Sequence, residues 1–571
     1  MSAIPLRHKL RSHVGILFRR KLMRARKKFL LTARSSCRES QQGTLESLLA
    51  LNAGSQFSED HDLRPGLTVE EFRSRIPVSD YSLVAPYIDR MKTGDHAALL
   101  GAKNRLLMYA VTSGTTAQSK LIPVTDRFVK DYRRSWQTWG ACCHRDHVTL
   151  RMLFMVQVAS SHQRYNTPDG TPCGNISGLV AAMQSYMVRA LYTIPPEVAH
   201  LQDPAVKRDA VVRFAISDPM VGMLITANPS TLLQMVEHAG ANAESLIRDI
   251  FDGTASRVEL PGDRQLLARN LKPNRRRAQE LERIVDGHGT LNVKACWPHL
   301  VCLGVWSGGS AGAYIPQLRQ TFGDIPVRDH GLHASEGRMT LPIADNTPAG
   351  LLEVETHFFE FIPVEESDSA DPVVLAAHEL EEGQEYFILL TTASGLYRYN
   401  IRDVVRCTGF YGSTPFLEFL HKGAHISSIT GEKISESQVV EAVRVACEQH
   451  AIGLQHFTLT PRWGKPPGYT LYVCATKELS VDALSQLARF ADRRLAAINC
   501  EYREKRETHR LDSIDVRALP EKSWRDFTEH RLDAASGSRE QYKHPCLVTD
   551  PKFERVFLNQ CGIDSVSPIP G

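Results

Sequence analysis

Four stretches of the chain hold residues whose types and spacing suit chemistry. The first is Tyr109-Ala-Val-Thr-Ser-Gly-Thr-Thr-Ala-Gln-Ser-Lys120, where an apolar run (Leu106 to Val111) gives way to small and hydroxylated residues and then a lysine. Small residues let a backbone approach a ligand closely, and consecutive N–H groups in a tight loop form a concavity that attracts anions. Thr112, Ser113, Thr115 and Thr116 add hydroxyl donors around Gly114, and Lys120 adds a point charge. This set suits the triphosphate of a nucleotide; a polar β-turn is the competing account. It is not a Walker A loop, because no G-x-x-x-x-G-K-[ST] occurs and Lys120 is followed by Leu121.

The second stretch, Trp306-Ser-Gly-Gly-Ser-Ala-Gly-Ala-Tyr314, follows an apolar strand-like run. Its glycines can let a flat ligand lie against the backbone, or can simply serve a strand–turn–helix connection. In the third, Asp329-His-Gly-Leu-His-Ala-Ser-Glu336-Gly337, one carboxylate sits among small residues and two imidazoles. A lone carboxylate beside phosphates is a common way to hold Mg²⁺, which keeps several waters and takes few protein ligands. Alternatively, Glu336 opens a helix and His333 is a satisfied core histidine. In the fourth, Tyr397-Arg-Tyr-Asn-Ile-Arg-Asp403-Val-Val, an aspartate at the edge of an apolar strand needs hydrogen-bond donors if it is buried. A ribose diol would supply two, and an Asp403–Arg398 ion pair is the other solution.

The elements that must position these stretches are read from periodicity. Strand-like and helical segments alternate through most of the region before residue 300, which predicts an α/β protein with mixed, largely parallel sheets. Helices are expected over Leu45–Asn52 with Thr44 as cap, Thr68–Arg75, Tyr81–Met91, and, with Asp126 as cap, through Trp136 and Trp139. Met152–Val156 suits a central strand, Tyr165–Gly178 a surface loop, and Met220–Ala227 a strand whose following Asn228-Pro-Ser230 caps a helix. After Leu420 a shorter set appears: a helix over Glu436–His450, strands at Phe457–Thr460 and Tyr469–Ala475, and a helix over Asp482–Cys500. That is the pattern of a smaller α+β C-terminal domain, joined near His421 to Gly431. The expected divisions are a basic arm over 1–40, a large domain over 41–421 and a lid domain over 422–571.

A length of 571 residues implies more than one domain. No apolar run approaches the roughly 20 residues that span a bilayer, and there is no secretory h-region. The twelve cysteines form no C-x-x-C pair and no regular framework, so they are read as reduced thiols of a cytoplasmic protein. Adjacent side chains in Cys142-Cys143-His144 point apart on any regular element, which argues against a metal site there. Residues 1–40 carry twelve Lys/Arg and one acidic residue, whereas the rest holds 56 basic and 63 acidic residues. Leu6, Leu10, Val14 and Leu17 fall on one face of a basic helix in that arm. It suits weak contact with an anionic membrane, an Arg-rich targeting segment, or a solvated helix packed on the body.

Taken in order, T-S-G-T-T…K-L-I-P-V-T, H-A-S-E and Y-R-Y-N-I-R-D-V-V resemble the three nucleotide motifs of the auxin-responsive (Gretchen Hagen type) acyl-acid amido synthetases. These enzymes are relatives of acyl-CoA synthetases and firefly luciferase. Arg75-Ile-Pro-Val-Ser-Asp-Tyr81, Ala227-Asn-Pro-Ser230, Phe359-Glu-Phe-Ile-Pro363 and Gln541-Tyr-Lys543-His-Pro545 add to the likeness, which spans roughly residues 65 to 550. The resemblance implies a large adenylate-forming domain and a mobile C-terminal domain. It implies that a small carboxylic acid attacks the α-phosphate of ATP with Mg²⁺, giving an acyl-adenylate that an amine, usually an amino acid, converts to an amide. In this scheme Ser113, Gly114, Thr115, Thr116 and Lys120 hold phosphates, and Glu336 binds Mg²⁺. Ser335 and His333 lie near the adenylate, and Asp403 holds the ribose. Lys422 stands where relatives often keep a ribose-contacting arginine, and Lys543 balances charge on the transferring phosphate. Trp306, Ser310 and Tyr314 are the expected lining of the acid's pocket. The expected protein is a monomer with no nucleic-acid partner. Gln118, His333 and Arg402 depart from the family's glycine, tyrosine and glycine. A thioester-forming ligase on the same chemistry, and a non-catalytic nucleotide- or membrane-binding relative, are the rival functions.

Overall fold

The computed structural model describes residues 16–112, 120–158, 163–184, 186–201, 203–259, 261–366, 369, 371–422, 426–475, 477–524, 526, 546–549, 553 and 557. It divides into two compact units. The first holds residues 1–111 and 121–421, and the second holds 422–571 together with 112–120.

In the first unit, parallel pairing builds a four-stranded sheet ordered Phe154–Gln157, Val221–Ile225, Cys302–Gly304, Val327–Arg328. Val221–Ile225 is buried at every position, as a strand covered by helices on both faces must be. The strand expected at Met152–Val156 begins two residues later, after a 3-10 turn over Val148–Met152. Its free side is occupied by Leu191–Thr193, which exchanges two backbone bonds with Met155 at 2.8 and 3.0 Å. A seven-stranded sheet contains the Phe358–Pro363, Glu385–Thr391, Tyr399–Tyr411 and Thr414–Lys422 strands, and every pairing described in it is antiparallel. A third sheet pairs Leu106–Thr112 with Lys120–Thr125 on one side and with Pro172–Gly174 on the other. The segment expected to be a surface loop over Tyr165–Gly178 therefore supplies two short strands and the start of the Ile176–Ala182 helix.

Helix boundaries follow local chemistry. Thr68 caps Val69–Arg75 through a capping box with Glu71, and Asp80 caps Tyr81–Met91 by accepting from Ser82 N–H at 2.9 Å. Thr125, not Asp126, caps Asp126–Asp146. The helix expected from Thr44 begins instead at Cys37. Gln41 and Thr44 face inward there and donate to the backbone carbonyls of Val354 and His357 at 2.9–3.0 Å. The Ile16–Ser35 helix precedes it and buries Phe29 and Ala33. Residues before 16 lie outside the described set, so the Leu6–Val14 face does too.

The second unit carries a three-stranded sheet, Leu454–Arg462, Gly468–Ala475 and Asp515–Ala518, the last pairing parallel. Its core takes apolar residues from Glu436–His450 and Val481–Ile498, including Val439, Val443, Leu487 and Leu495. The loop near Gly431 is fixed from inside. Buried Glu432 accepts from the N–H groups of Ile429 and Thr430 at 2.7 Å and from the hydroxyl of Tyr469.

Candidate functional site

Two of the four sequence stretches, and the glycines of another, meet on the first unit. The segment 329–340 is a tight hairpin. His333 bridges Arg338, and Ala334 N–H donates to Gly337 O at 2.8 Å, so Ser335 and Glu336 form the turn at its tip. Glu336 is only 8% exposed and does not open a helix. Gly337 explains the tightness: a Cβ there would lie 2.7 Å from His357 Nε2 and 3.1 Å from Leu390 Cδ2. At the other end Gly331, at φ +79, would place a Cβ 2.2 Å from the carbonyl oxygen of Thr340.

Asp329 ties this hairpin to the glycine-rich loop. Its Oδ2 accepts from Ser307 N–H at 2.5 Å and Ser307 O–H at 2.7 Å, and its Oδ1 accepts from Gly331 N–H at 2.6 Å. Burial pushes the Asp329 carboxyl up to about 6, against these donors, which pull it down. Trp306 Nε1 donates to Gly331 O at 3.1 Å, and Trp306 N–H donates to Ala227 O at 2.9 Å, which brings in the Ala227-Asn-Pro-Ser230 motif. Gly309, at φ +55, lies where a Cβ would strike the Phe419 ring at 2.9 Å and the Leu420 carbonyl oxygen at 2.8 Å.

Asp403 stands on the Tyr399–Tyr411 strand, 3% exposed, inside a bulge. Asn400 pairs with Leu389 and Val404 with Phe387, so Ile401, Arg402 and Asp403 together face the single residue Ile388. Such bulges re-aim side chains and are over-represented beside active sites. Arg402 takes φ +58, the conformation natural to the glycine that the family resemblance led one to expect there. The Asp403–Arg398 ion pair does not form, because Arg398 is committed elsewhere. Its Nε donates to Glu360 at 3.0 Å and its Nη1 to the carbonyls of Ile76 and Arg73 at 2.7 and 3.2 Å. Arg73 holds the other oxygen of Glu360 at 2.8 Å. Three of the quoted motifs (Arg75–Tyr81, Phe359–Pro363 and Tyr397–Asp403) are thus locked by one buried ionic cluster. Glu336 lies close to this strand: burial first, and then the charge of Glu336, push the Tyr399 hydroxyl up.

Beside the hairpin is an aromatic wall that the sequence reading missed in part. The rings of Trp306 and His333 lie 4.9 Å apart, Trp136 is 5.8 Å from His333, and Tyr132 is 6.4 Å from it. The Arg338 guanidinium sits 4.2 Å over Trp136 and donates to His330 O at 2.6 Å. Trp136, His333 and Trp306 are half-buried, so the wall is reachable. The available signal was the Tyr132/Trp136 spacing of one helical turn. Tyr314 is buried at the start of the Ile315–Phe322 helix, and Ser310 lies in the preceding 3-10 turn with its side chain outside the description. Ser113, Gly114, Thr115, Thr116 and Lys543 lie outside the described residues. Lys120 opens the Lys120–Thr125 strand and Lys422 ends the Thr414–Lys422 strand; both belong to the second unit.

The fold is shared with solved acid-activating ligases. A solved 2-hydroxyisobutyryl-CoA ligase matches with a TM-score of 0.51 at 14% identity, over 93% of this chain and 94% of that one. The AtGH3.15 acyl acid amido synthetase in complex with 2,4-DB matches with a TM-score of 0.65 at 19% identity, over 94% and 95%. The chain belongs to the GH3 family: residues 26–327 match its N-terminal domain, 350–422 its central domain and 437–552 its C-terminal domain. The match begins well before residue 65, where the sequence motifs start. The chain is 26% identical to a jasmonoyl--L-amino acid synthetase (GH3.5) of Oryza sativa subsp. japonica, over 90% of this chain and 93% of the relative. It is 25% identical to an indole-3-acetic acid-amido synthetase (GH3.8) of Oryza sativa subsp. indica, over 92% and 91%. It is an acyl acid–amino acid ligase, a class whose chemistry implies ATP. No helix of the described residues is long and apolar enough to cross a membrane.

Proposed function

We propose that this enzyme activates a small carboxylic acid as its acyl-adenylate, with loss of pyrophosphate, and passes the acyl group to an amino acid. The observation that carries the reading is that Asp403, set in its bulge, and Glu336, at the hairpin tip, both stand at the Tyr399–Tyr411 strand. Asp403 holds the ribose, accepting from both hydroxyls. Ser113, Gly114, Thr115, Thr116 and Lys120 cradle the phosphates, and Lys422 reaches the ribose. Ser335 and His333 flank the adenylate. Glu336 fits Mg²⁺ as a nearly buried carboxylate at a turn tip, and that ion would neutralise charge on the departing pyrophosphate.

The acid lies against the wall of Trp136, His333 and Trp306, with Ser310 and Tyr314 beyond. A flat or ringed acid fits such a surface, and the relatives named for jasmonate and indole-3-acetate conjugation point the same way. The eleven cysteines described are all free thiols, which accords with a cytoplasmic setting.

Purified enzyme offered ATP, Mg²⁺ and a panel of ringed acids should release pyrophosphate only when acid is present. Mass spectrometry with amino acids against coenzyme A then separates the outcomes: an amide product supports the reading, and a thioester product alone replaces it. Lys543→Ala should slow adenylation by about 3–4 kcal/mol of barrier while leaving ATP affinity nearly intact, since its contact forms chiefly in the transition state. Unchanged turnover would remove Lys543 from the mechanism.

A further inference from the structure

The Ile16–Ser35 helix has no part in the ligase chemistry above. It carries eight Lys/Arg and no acidic residue. Its inward side is built into the first unit. Phe29 and Ala33 enter a core with Trp139, Cys142 and Cys143. The carbonyl of Arg34 accepts from Ser413 N–H at 3.0 Å, and Gly412, at φ +65, exists where a Cβ would fall 1.9 Å from that oxygen. Two of the eight cations also turn inward. Arg26 lies beside the Cys142 thiol, and Arg19 lies near Arg151 and His144. A helix seated this firmly is part of the fold.

The opposite side is therefore fixed outward. Arg20, Lys21, Arg24, Lys27, Lys28 and Arg34 are all exposed, and among the described residues none of the six forms an ion pair. Leu17 and Leu31, 74% and 57% exposed, lie on this same face, about 20 Å apart along the axis with five of the six cations between them. Single exposed leucines are ordinary on protein surfaces. Two on one face, set within six cations and no carboxylate, have the composition of a helix that lies in a membrane interface. The cations would face anionic headgroups while the leucines enter the boundary with the acyl chains.

We propose that the outer face of the Ile16–Ser35 helix docks the enzyme on an anionic lipid surface. The charge would suit the phosphates of a nucleic acid equally, but the leucines favour lipid, because backbone recognition of nucleic acid has no use for exposed alkyl groups. The docking does not depend on which acid or amine the ligase takes.

The test is co-sedimentation of the full chain with vesicles of phosphatidylcholine alone, or with about 30 mol% phosphatidylserine. Binding is expected only with phosphatidylserine and should weaken as salt is raised. Lys27→Glu combined with Lys28→Glu should reduce it at least about tenfold. Leu17→Ser combined with Leu31→Ser should also weaken it, with far-ultraviolet circular dichroism and thermal unfolding unchanged in both variants. The proposal is overturned if the wild-type chain ignores phosphatidylserine vesicles, or if the charge reversals leave binding intact. It is also overturned if the leucine variant binds as wild type while single-stranded RNA displaces the vesicles, which would make this a polyanion surface.

Discussion

Gly331→Ala isolates the hairpin that presents Glu336. Two costs apply. The residue sits at φ +79, where an L side chain is strained by roughly 1–2 kcal/mol. Its new Cβ would also lie 2.2 Å from the Thr340 carbonyl oxygen and 2.7 Å from Pro342 Cδ, so backbone must move, at typically about 1–3 kcal/mol. Gly383→Ala is the matched control, because Gly383 has φ +89 and nothing within 4 Å of its notional Cβ. The strain is common to both variants, so the difference between them reports the collision alone. Denaturation followed by tryptophan fluorescence suits the measurement, since Trp136, Trp139 and Trp306 surround the hairpin. Gly331→Ala should lose about 1–3 kcal/mol more stability than Gly383→Ala, and should lose acid-dependent pyrophosphate release out of proportion. Equal destabilisation of the two would show that the hairpin is not the rigid platform described here.

Arg398→Met should destabilise the first unit by about 3 kcal/mol, because Glu360 would keep only Arg73, and the double change with Glu360→Met should recover part of the loss; a single variant as stable as wild type contradicts the buried cluster. Burial pushes Glu353 up to about 7 from 4.5. A raised carboxyl gives stability that is complete below its unfolded pKa and lost as pH climbs through the folded value, so wild type should lose roughly 3 kcal/mol from this group over that window. Glu353→Gln should abolish that slope, and a stability gap between variant and wild type that stays constant from about pH 4.5 to 8 rules it out. Arg402→Gly removes the strain of φ +58 at an exposed position and should stabilise by about 0.5 kcal/mol after the entropic cost of glycine, whereas a clear loss would show that the Arg402 side chain contributes.

The sequence showed most clearly what is decided locally. Thr68 with Glu71, and Asp80 before Tyr81, set helix starts within a few residues, and both starts are found there. The Cys37–Asn52 helix was half hidden because Gln41 and Thr44 break its apolar stripe, and their partners are carbonyls more than 300 residues away. Pro172–Gly174 is a strand because Tyr109 and Ala110 lie on one side of it and Tyr165 and Asn166 on the other, which its Gly- and Pro-rich composition cannot announce. At the site, the residue types suggested a Mg²⁺-holding carboxylate at Glu336 and an aspartate at Asp403 that needs donors if buried, but not the hairpin that presents Glu336. Which arginine pairs with which acid was a tertiary matter: Arg398 was five positions from Asp403 yet goes to Glu360. The Trp136 wall was visible as helical spacing, but its use depends on Trp306 and His333 arriving from distant segments.

The unequal strands at Ile401–Asp403 make chain length, more than side-chain identity, the sensitive variable of this region. Removing one residue there would invert the pleat for everything downstream. Val405 and Cys407 would exchange their face of the sheet for the opposite one, Val404 would move the other way, and the aspartate would turn away from its present side. Homologues and engineered variants should therefore accept many substitutions at positions 401 and 402 and almost no insertions or deletions, a bias that a deep mutational library containing single-codon indels would expose directly.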